Sequence, residues 1–201
     1  MITWIFLRAA GIAAYLALFL ASSWGLVSST SLVTKRVSKK ASTTFHASVA
    51  TAGLAFLAIH LLLLVIDPFM PFAPLDVLLP MRASYRPVSI AFGIAAMYGT
   101  VIVLASSWAR KRMTTAWWRR LHLLAVPAFT LSLLHGAFAG TDGNRPWMFA
   151  MYAVTGLATL FLVIVRALTV GYRPPRPQTP ARTRAAPPPE PIPADQFRGV
   201  S

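Results

Sequence analysis

The chain has 201 residues, of which 56% are hydrophobic and only 12% are charged. A soluble domain carries about 25% charged residues, so the composition indicates an integral membrane protein. The absence of cysteine excludes disulfides, thiolate-bound zinc, iron–sulfur clusters and cysteine nucleophiles. The formal net charge of +14 does not indicate a nucleic-acid partner, because the basic residues lie in loops beside apolar segments and in the tail.

Five apolar segments predict an all-α fold, a bundle of five transmembrane helices that occupies residues 1–170. Each segment has at least 21 residues, which is enough to cross a lipid bilayer. The segments cover residues 4–27, 44–66, 88–108, 118–139 and 147–169. Residues 171–201 hold nine of the sixteen prolines. This composition predicts a disordered basic cytoplasmic tail, lying near anionic lipid, with no room for a flavin or nicotinamide domain.

The basic residues of the loops predict how the bundle is oriented in the cell membrane. The first and third connections hold nine of them, against three in the second and fourth. The positive-inside rule therefore places the amino terminus outside and the carboxyl terminus in the cytoplasm. Arg8, near the outer end of the first helix, goes against this trend. The nine are Lys35, Arg36, Lys39, Lys40, Arg110, Lys111, Arg112, Arg119 and Arg120, and the three are Arg82, Arg86 and Arg145.

All four histidines lie in predicted transmembrane segments and form two pairs. His46 and His60 are fourteen residues apart in the second segment, and His122 and His135 are thirteen apart in the fourth. At 1.5 Å per residue, each pair spans about 20 Å along its helix, in a hydrocarbon core about 30 Å thick. Because the second and fourth segments run in the same direction, His46 and His122 share the inner level and His60 and His135 share the outer level.

This arrangement predicts two haems, each held between two histidines as axial ligands of its iron. Imidazole is a common haem ligand, and an ionisable side chain inside a membrane usually has a functional role. Zinc is a weaker candidate, because two histidines leave it under-coordinated. On ideal helices the rings of the second segment lie about 40° apart and those of the fourth about 140° apart. Pro127 lies between the latter two, where a kink is expected.

Four arginines are candidate partners of the haem propionates, two at each level. Arg119 and Arg120 lie beside His122, although membrane topology explains them equally well. Arg82 and Arg86 are the candidates at the outer level.

Phe56 and Phe129 lie between the two levels of histidines. A packing or lipid-facing role is the simpler interpretation of both.

The paired histidines and their flanking residues resemble the ferric reductase-like transmembrane domain of ferric reductases and NADPH oxidases, in particular bacterial members without a flavoprotein domain. The resemblance covers roughly residues 8–168, and the histidine pattern is its specific part. The matching stretches are Arg8-Ala-Ala-Gly-Ile-Ala-Ala-Tyr15, Ala58-Ile-His60, Asp67-Pro-Phe-Met-Pro-Phe72, Tyr85-Arg-Pro87, Trp118-Arg-Arg-Leu-His122 and Leu134-His-Gly-Ala-Phe-Ala-Gly-Thr-Asp142.

The resemblance implies two b-type haems that carry electrons across the membrane, the inner one on His46 and His122 and the outer one on His60 and His135. The chain has no glycine-rich flavin or nicotinamide segment, so no FAD or NAD(P) site is expected. An oxidoreductase component of this kind requires a separate donor, either a flavoprotein reductase or a membrane quinol. The outer acceptor is expected to be ferric iron, dioxygen or a redox protein.

Two alternatives remain at this point. The first is the haem subunit of a quinol-linked two-component reductase, which differs in its donor. The second belongs to another class, a haem-free membrane scaffold or small-molecule carrier with incidental histidines. The lack of carboxylates in the predicted segments and the paired spacing both count against the second alternative.

Overall fold

A computed structural model of the chain describes residues 2–29, 37–69, 72–143 and 145–170. The predictions that concern Lys35, Arg36 and residues 171–201 lie outside these ranges. Within them, five segments are long and apolar enough to cross a membrane, which confirms the predicted all-α transmembrane bundle. The α-helices are α1 (Ile2–Ser28), α2 (Lys39–Ile66), α3 (Pro87–Trp108), α4 (Thr115–His122), α5 (Ala125–Ala139) and α6 (Pro146–Val170). A 3₁₀ turn, Ala109–Arg112, extends α3, and α4 with α5 makes up the fourth transmembrane segment.

Local capping explains where several helices begin. The Ser38 hydroxyl accepts a hydrogen bond from the Ala41 N–H, and the Thr114 hydroxyl accepts one from the Trp117 N–H. Pro87 is the first residue of α3, a position where a missing N–H costs nothing. These caps satisfy backbone donors that would otherwise have no partner at the first turn of each helix.

Small side chains let the helices pack closely as two antiparallel pairs. In the pair of α1 and α2, a Cβ built on Gly53 would lie 3.1 Å from the Cβ of Ala17. In the pair of α3 and α5, a Cβ on Gly99 would lie 3.0 Å from the Cβ of Ala128. Because apolar burial gives little driving force between helices inside lipid, such close backbone approach is a main source of packing energy there.

The alternating directions of the helices give the bundle two distinct ends. The Asp67 end holds the first residues of α1, α3 and α6 and the last residues of α2 and α5. Asp67 itself is only 2% exposed and accepts a hydrogen bond from the Thr3 hydroxyl at 2.7 Å. The Trp118 end is the opposite one, where α4 begins. Arg8, which goes against the charge trend of the loops, forms an ion pair with Asp142 at the Asp67 end.

An aromatic cluster fills the middle of the bundle. Phe129 is 1% exposed, and its ring stacks on that of Tyr15 with the centroids 5.5 Å apart. Phe19 contacts the same ring from α1, at 5.8 Å. Phe56, by contrast, is 39% exposed on the surface of α2. Of the two phenylalanines between the histidine levels, Phe129 is therefore part of the core and Phe56 is at the surface that faces lipid.

Replacing Phe129 by alanine is expected to destabilise the bundle by about 3–5 kcal/mol, because it removes a large side chain from a site that cannot collapse. The measurement is the free energy of unfolding in detergent micelles by titration with a denaturing detergent. Phe56→Ala is the matched control and is expected to change stability by about 0.5 kcal/mol or less. An equal loss in both variants would contradict the assignment of Phe129 to the core.

Candidate functional site

The structure brings His46 and His122 together at the Trp118 end. Their ring centroids are 5.9 Å apart and the ring planes meet at 60°. A bond between a metal and an imidazole nitrogen is about 2 Å long, and the ring centroid lies about 1 Å behind that nitrogen. Two imidazoles on opposite sides of one metal ion therefore have centroids about 6 Å apart. The separation of the two rings is therefore one at which both could bind a single metal ion.

His60 and His135 come together at the Asp67 end, where both line a single cavity of about 220 Å³. Most of the other lining side chains are apolar and come from α1, α2, α3, α5 and α6. Two charged side chains, Arg8 and Asp142, also line the cavity. The four histidines thus occupy two levels, in the two pairs that the topology predicts.

Three glycines make room for three of the histidine rings. A Cβ on Gly93 would lie 2.6 Å from Nδ1 of His135, closer than real Cβ atoms come to other atoms. A Cβ on Gly11 would lie 3.0 Å from Nδ1 of His60. A Cβ on Gly25 would lie 3.4 Å from Cε1 of His46. Each imidazole therefore lies against the bare backbone of a neighbouring helix.

At Gly11 and Gly93, the close approach lets Nδ1 of the histidine reach the backbone carbonyl one helical turn before the glycine. His60 Nδ1 lies 3.0 Å from the carbonyl oxygen of Leu7, which precedes Gly11 by four residues. His135 Nδ1 lies 2.9 Å from the carbonyl of Ser89, which precedes Gly93 by four residues. A carbonyl oxygen can only accept, so Nδ1 carries the proton in both rings. In a neutral imidazole this leaves the lone pair on Nε2, the nitrogen that is free to bind a metal.

The two histidines at the Trp118 end have weaker partners for Nδ1. His46 Nδ1 is buried beside Gly25, whose Cβ would lie 3.9 Å away, and it has no hydrogen-bond partner among the described residues. His122 Nδ1 lies 3.4 Å from the Ser107 hydroxyl. All four rings thus lie against a neighbouring helix, with a looser fit at this end.

A break in the fourth transmembrane segment separates His122 from His135. Helix α4 ends at His122 and α5 begins at Ala125. Pro127 has no N–H to give to the carbonyl of Leu123, and Val126 N–H bonds to that carbonyl instead, at 3.3 Å. Each residue in such a tighter turn adds about 20° relative to an α-helix. This extra rotation reduces the angular offset expected for the two rings on an ideal helix.

The four arginines named as propionate candidates are all exposed, and three of them contact other groups. Arg82 pairs with Asp76 at 3.0 Å in the loop after α2. Arg86 donates to the carbonyl of Phe138, and its side chain is exposed. Arg119 and Arg120 are exposed on α4, the latter over the ring of Trp117 at 5.3 Å. None of the four lines the cavity at the Asp67 end, whereas Arg8 does.

At the Trp118 end, Trp118 lies between the His46 and His122 pair and the surface. Its ring stacks on that of His122, with the centroids 4.9 Å apart and the planes at 28°. The guanidinium of Arg110 also lies over the Trp118 ring, 4.3 Å from its centroid. The indole Nε1 is buried and has no hydrogen-bond partner among the described residues. A buried donor is thus available beside the His46 and His122 pair.

The comparisons with known proteins add no relative. No family model, curated protein or solved structure matches the chain.

Sequence reasoning missed the residues against which the rings lie, and the arginine that lines the cavity: Gly11, Gly25, Gly93, Ser107 and Arg8. A signal for four of them is present, because Gly11 and Gly25 are fourteen residues apart, as are Gly93 and Ser107. The first spacing equals the separation of His46 and His60 on the facing helix, and the second exceeds the separation of His122 and His135 by one residue. The correspondence becomes visible only once it is known which helices are neighbours.

Gly93→Ala is expected to destabilise the protein by about 1–3 kcal/mol, because the new methyl group overlaps the His135 ring. Gly25→Ala is the control, since its methyl group would make an ordinary contact with His46 and alanine favours the helix by about 1 kcal/mol. We expect a lower midpoint of thermal unfolding in detergent for Gly93→Ala, and an equal or higher one for Gly25→Ala. The same loss in both would show that the ring positions do not depend on these glycines.

Proposed function

We propose that the chain carries electrons across a membrane through two b-type haems, each bound by one histidine pair. The observation that supports this most strongly is the arrangement of the rings. Three of the histidines place Nδ1 within hydrogen-bond distance of a neighbouring helix, and all four meet in two pairs at opposite ends of the bundle. A histidine that only bridges two helices needs no second histidine at its level, and four such histidines would not be expected to pair.

The surroundings of the pairs fit a haem, which has a large apolar ring and two carboxylates. At the Asp67 end the cavity is mainly apolar, and Arg8 supplies a cation at its lining. The hydroxyl of Thr100 also lines this cavity and is buried without a hydrogen-bond partner. At the Trp118 end, the Trp118 indole N–H is a buried donor that a carboxylate would satisfy.

When bound between two histidines, haem iron supplies a one-electron couple without an open position for substrate. The role of the protein is to orient the ligands and to keep water out between the two levels. The carbonyls of Leu7 and Ser89 hold two of the rings in the tautomer that frees Nε2. The buried ring of Phe129 and its aromatic neighbours fill the middle of the bundle between the two levels.

We infer that the Trp118 end faces the cytoplasm in the cell membrane. The basic residues Arg110, Lys111 and Arg112 lie at this end, after α3, as the positive-inside rule requires for a cytoplasmic loop. The donor, a flavoprotein or a quinol, would then serve the His46 and His122 level. The acceptor, whether ferric iron, dioxygen or a redox protein, would react at the Asp67 end.

Protein purified from haem-replete cells is expected to show a low-spin b-type spectrum with two haems per chain. The variant that replaces both His60 and His135 by alanine should keep one haem, because it removes both ligands of one site. The variant that replaces both His46 and His60 should lose both haems, because it removes a ligand from each. The measurement is the pyridine haemochrome content per chain. A colourless wild-type preparation would refute the proposal and favour a haem-free scaffold.

Arg8 and Arg82 give a test of which arginine holds the outer haem. We expect Arg8→Gln to weaken haem retention at the Asp67 end by about tenfold, the effect of one lost charge-assisted hydrogen bond. Arg82→Gln should retain haem as the wild type does, because Arg82 is bonded to Asp76 outside the cavity. Haem transfer to an apoprotein acceptor such as apomyoglobin measures the rate of loss. Faster loss in Arg82→Gln alone would favour the loop arginine instead.

The two candidate donors are distinguished by anaerobic rapid mixing with the purified protein. Fast reduction by a naphthoquinol would assign the chain to a quinol-linked system. Fast reduction only with NAD(P)H and a flavoprotein reductase would assign it to a reductase that receives electrons from the cytoplasm. Reoxidation by a ferric chelate then tests the outer acceptor.

A further inference from the structure

One of the four histidine sites has a serine where the other three have a glycine. The ring of His122 lies against α3 at Ser107, fourteen residues after Gly93, and the carbonyl one turn earlier belongs to Val103. We propose that Ser107 is a positioning residue that raises the reduction potential of the haem at the Trp118 end, by standing between His122 and the Val103 carbonyl. The inference rests on the proposed function and adds to it a difference in potential between the two haems.

The hydrogen-bond count fixes the roles of the atoms. The Ser107 Oγ lies 2.8 Å from the Val103 carbonyl oxygen and 3.4 Å from His122 Nδ1. A serine has one O–H to donate and a carbonyl can only accept, so the hydroxyl hydrogen goes to Val103. The Ser107 oxygen then accepts from the Nδ1–H of His122. The Ser107 hydroxyl therefore lies between the His122 ring and the carbonyl, whereas His60 and His135 bond to their carbonyls directly.

Because the Ser107 hydroxyl lies between them, the Val103 carbonyl polarises the His122 ring less strongly. A hydrogen bond from Nδ1–H to a strong acceptor makes the imidazole more basic, and a more basic ligand stabilises ferric over ferrous iron. His60 and His135 have carbonyl acceptors at 3.0 and 2.9 Å, whereas His122 has a hydroxyl at 3.4 Å. The haem at the Trp118 end therefore has the higher reduction potential.

The charge beside the ring acts in the same direction. Arg110 lies over Trp118, which stacks on His122, so a positive charge is held near this site. Positive charge favours the reduced form of the iron, which carries one charge fewer. At the Asp67 end, Asp142 lines the same cavity and offsets the charge of the corresponding cation, Arg8, whose guanidinium keeps further N–H donors.

Substitution of Ser107 tests the proposal through the sign of the change in potential. Ser107→Gly should let His122 Nδ1 reach the Val103 carbonyl and lower the potential of this haem. We expect about a tenfold change in the equilibrium between oxidised and reduced iron, which is ~59 mV for one electron. Ser107→Ala should raise the potential, because its methyl group blocks the carbonyl and offers no acceptor. Ser107→Thr keeps the hydroxyl and should leave the potential unchanged.

The measurement is an anaerobic spectroelectrochemical titration of the full chain, with the His60→Ala and His135→Ala double variant used to assign the remaining haem. Ser106→Ala is the matched control. Ser106 donates to the same Val103 carbonyl at 2.8 Å but projects about 100° away around the helix. Shifts of the same sign in Ser107→Gly and Ser107→Ala, no shift in either, or an equal shift in Ser106→Ala would each overturn the proposal.

A second measurement on the haem-free protein separates this inference from the haem proposal. Nitrogen-15 NMR of labelled histidine should show the His122 proton on Nδ1 in the wild type and a mixture of tautomers in Ser107→Ala. This outcome would support the hydrogen-bond assignment even if the chain bound no haem. A wild-type proton on Nε2 would overturn the inference, whatever the haem content.

Discussion

A histidine inside a membrane needs a partner for each ring nitrogen, and this requirement explains how the helices of this bundle pack. Carbonyls within a helix are already engaged with their own N–H groups, and they are shielded by side chains. A second donor reaches such a carbonyl only where the neighbouring residue has no side chain. Gly11 and Gly93 provide that opening, and the carbonyls of Leu7 and Ser89 accept from the rings. A buried donor without such a partner costs about 1–3 kcal/mol, so glycine and histidine positions are coupled.

The coupling also explains the break in the fourth transmembrane segment. Gly11 and Gly25 are fourteen residues apart, and so are the histidines that face them from α2. On α3 the separation is again fourteen, but His122 and His135 are only thirteen residues apart. A 3₁₀ turn rises about 2.0 Å per residue rather than 1.5 Å, so three residues in that geometry lengthen the segment by about 1.5 Å. That increment equals the rise of one α-helical residue, so it makes up for the shorter separation of His122 and His135. The tighter turn lies before α5 because Pro127 has no N–H to donate.

The sequence was sufficient to predict the spans and the pairing of levels, because both depend on local quantities. Segment length against bilayer thickness predicts five helices, and the alternation of direction predicts which histidines share a level. The partners of the rings depend instead on which helices are neighbours, and composition does not contain that information. The outer loop offers Arg82 and Arg86 as candidates, whereas Arg8 reaches the cavity from α1. Pro127 predicted a distortion, but the break lies a few residues earlier, since proline disturbs the carbonyl four residues before it.

The two ends of the bundle differ in how their charges are compensated, and this difference bears on both orientation and chemistry. At the Asp67 end, Arg8 and Arg82 are each paired with an aspartate. The cations Arg110 and Arg120 at the other end contact the faces of tryptophan rings instead, and a cation–π contact leaves the positive charge in place. That residual charge favours the cytoplasmic side during membrane insertion. Under the proposed function it would also stabilise an added electron at the level of His46 and His122, in the same direction as the weak hydrogen bonding of Nδ1 in those rings. One feature of the sequence, basic residues without acidic neighbours, would then contribute both to the proposed orientation of the chain and to the relative potentials of its two proposed haems.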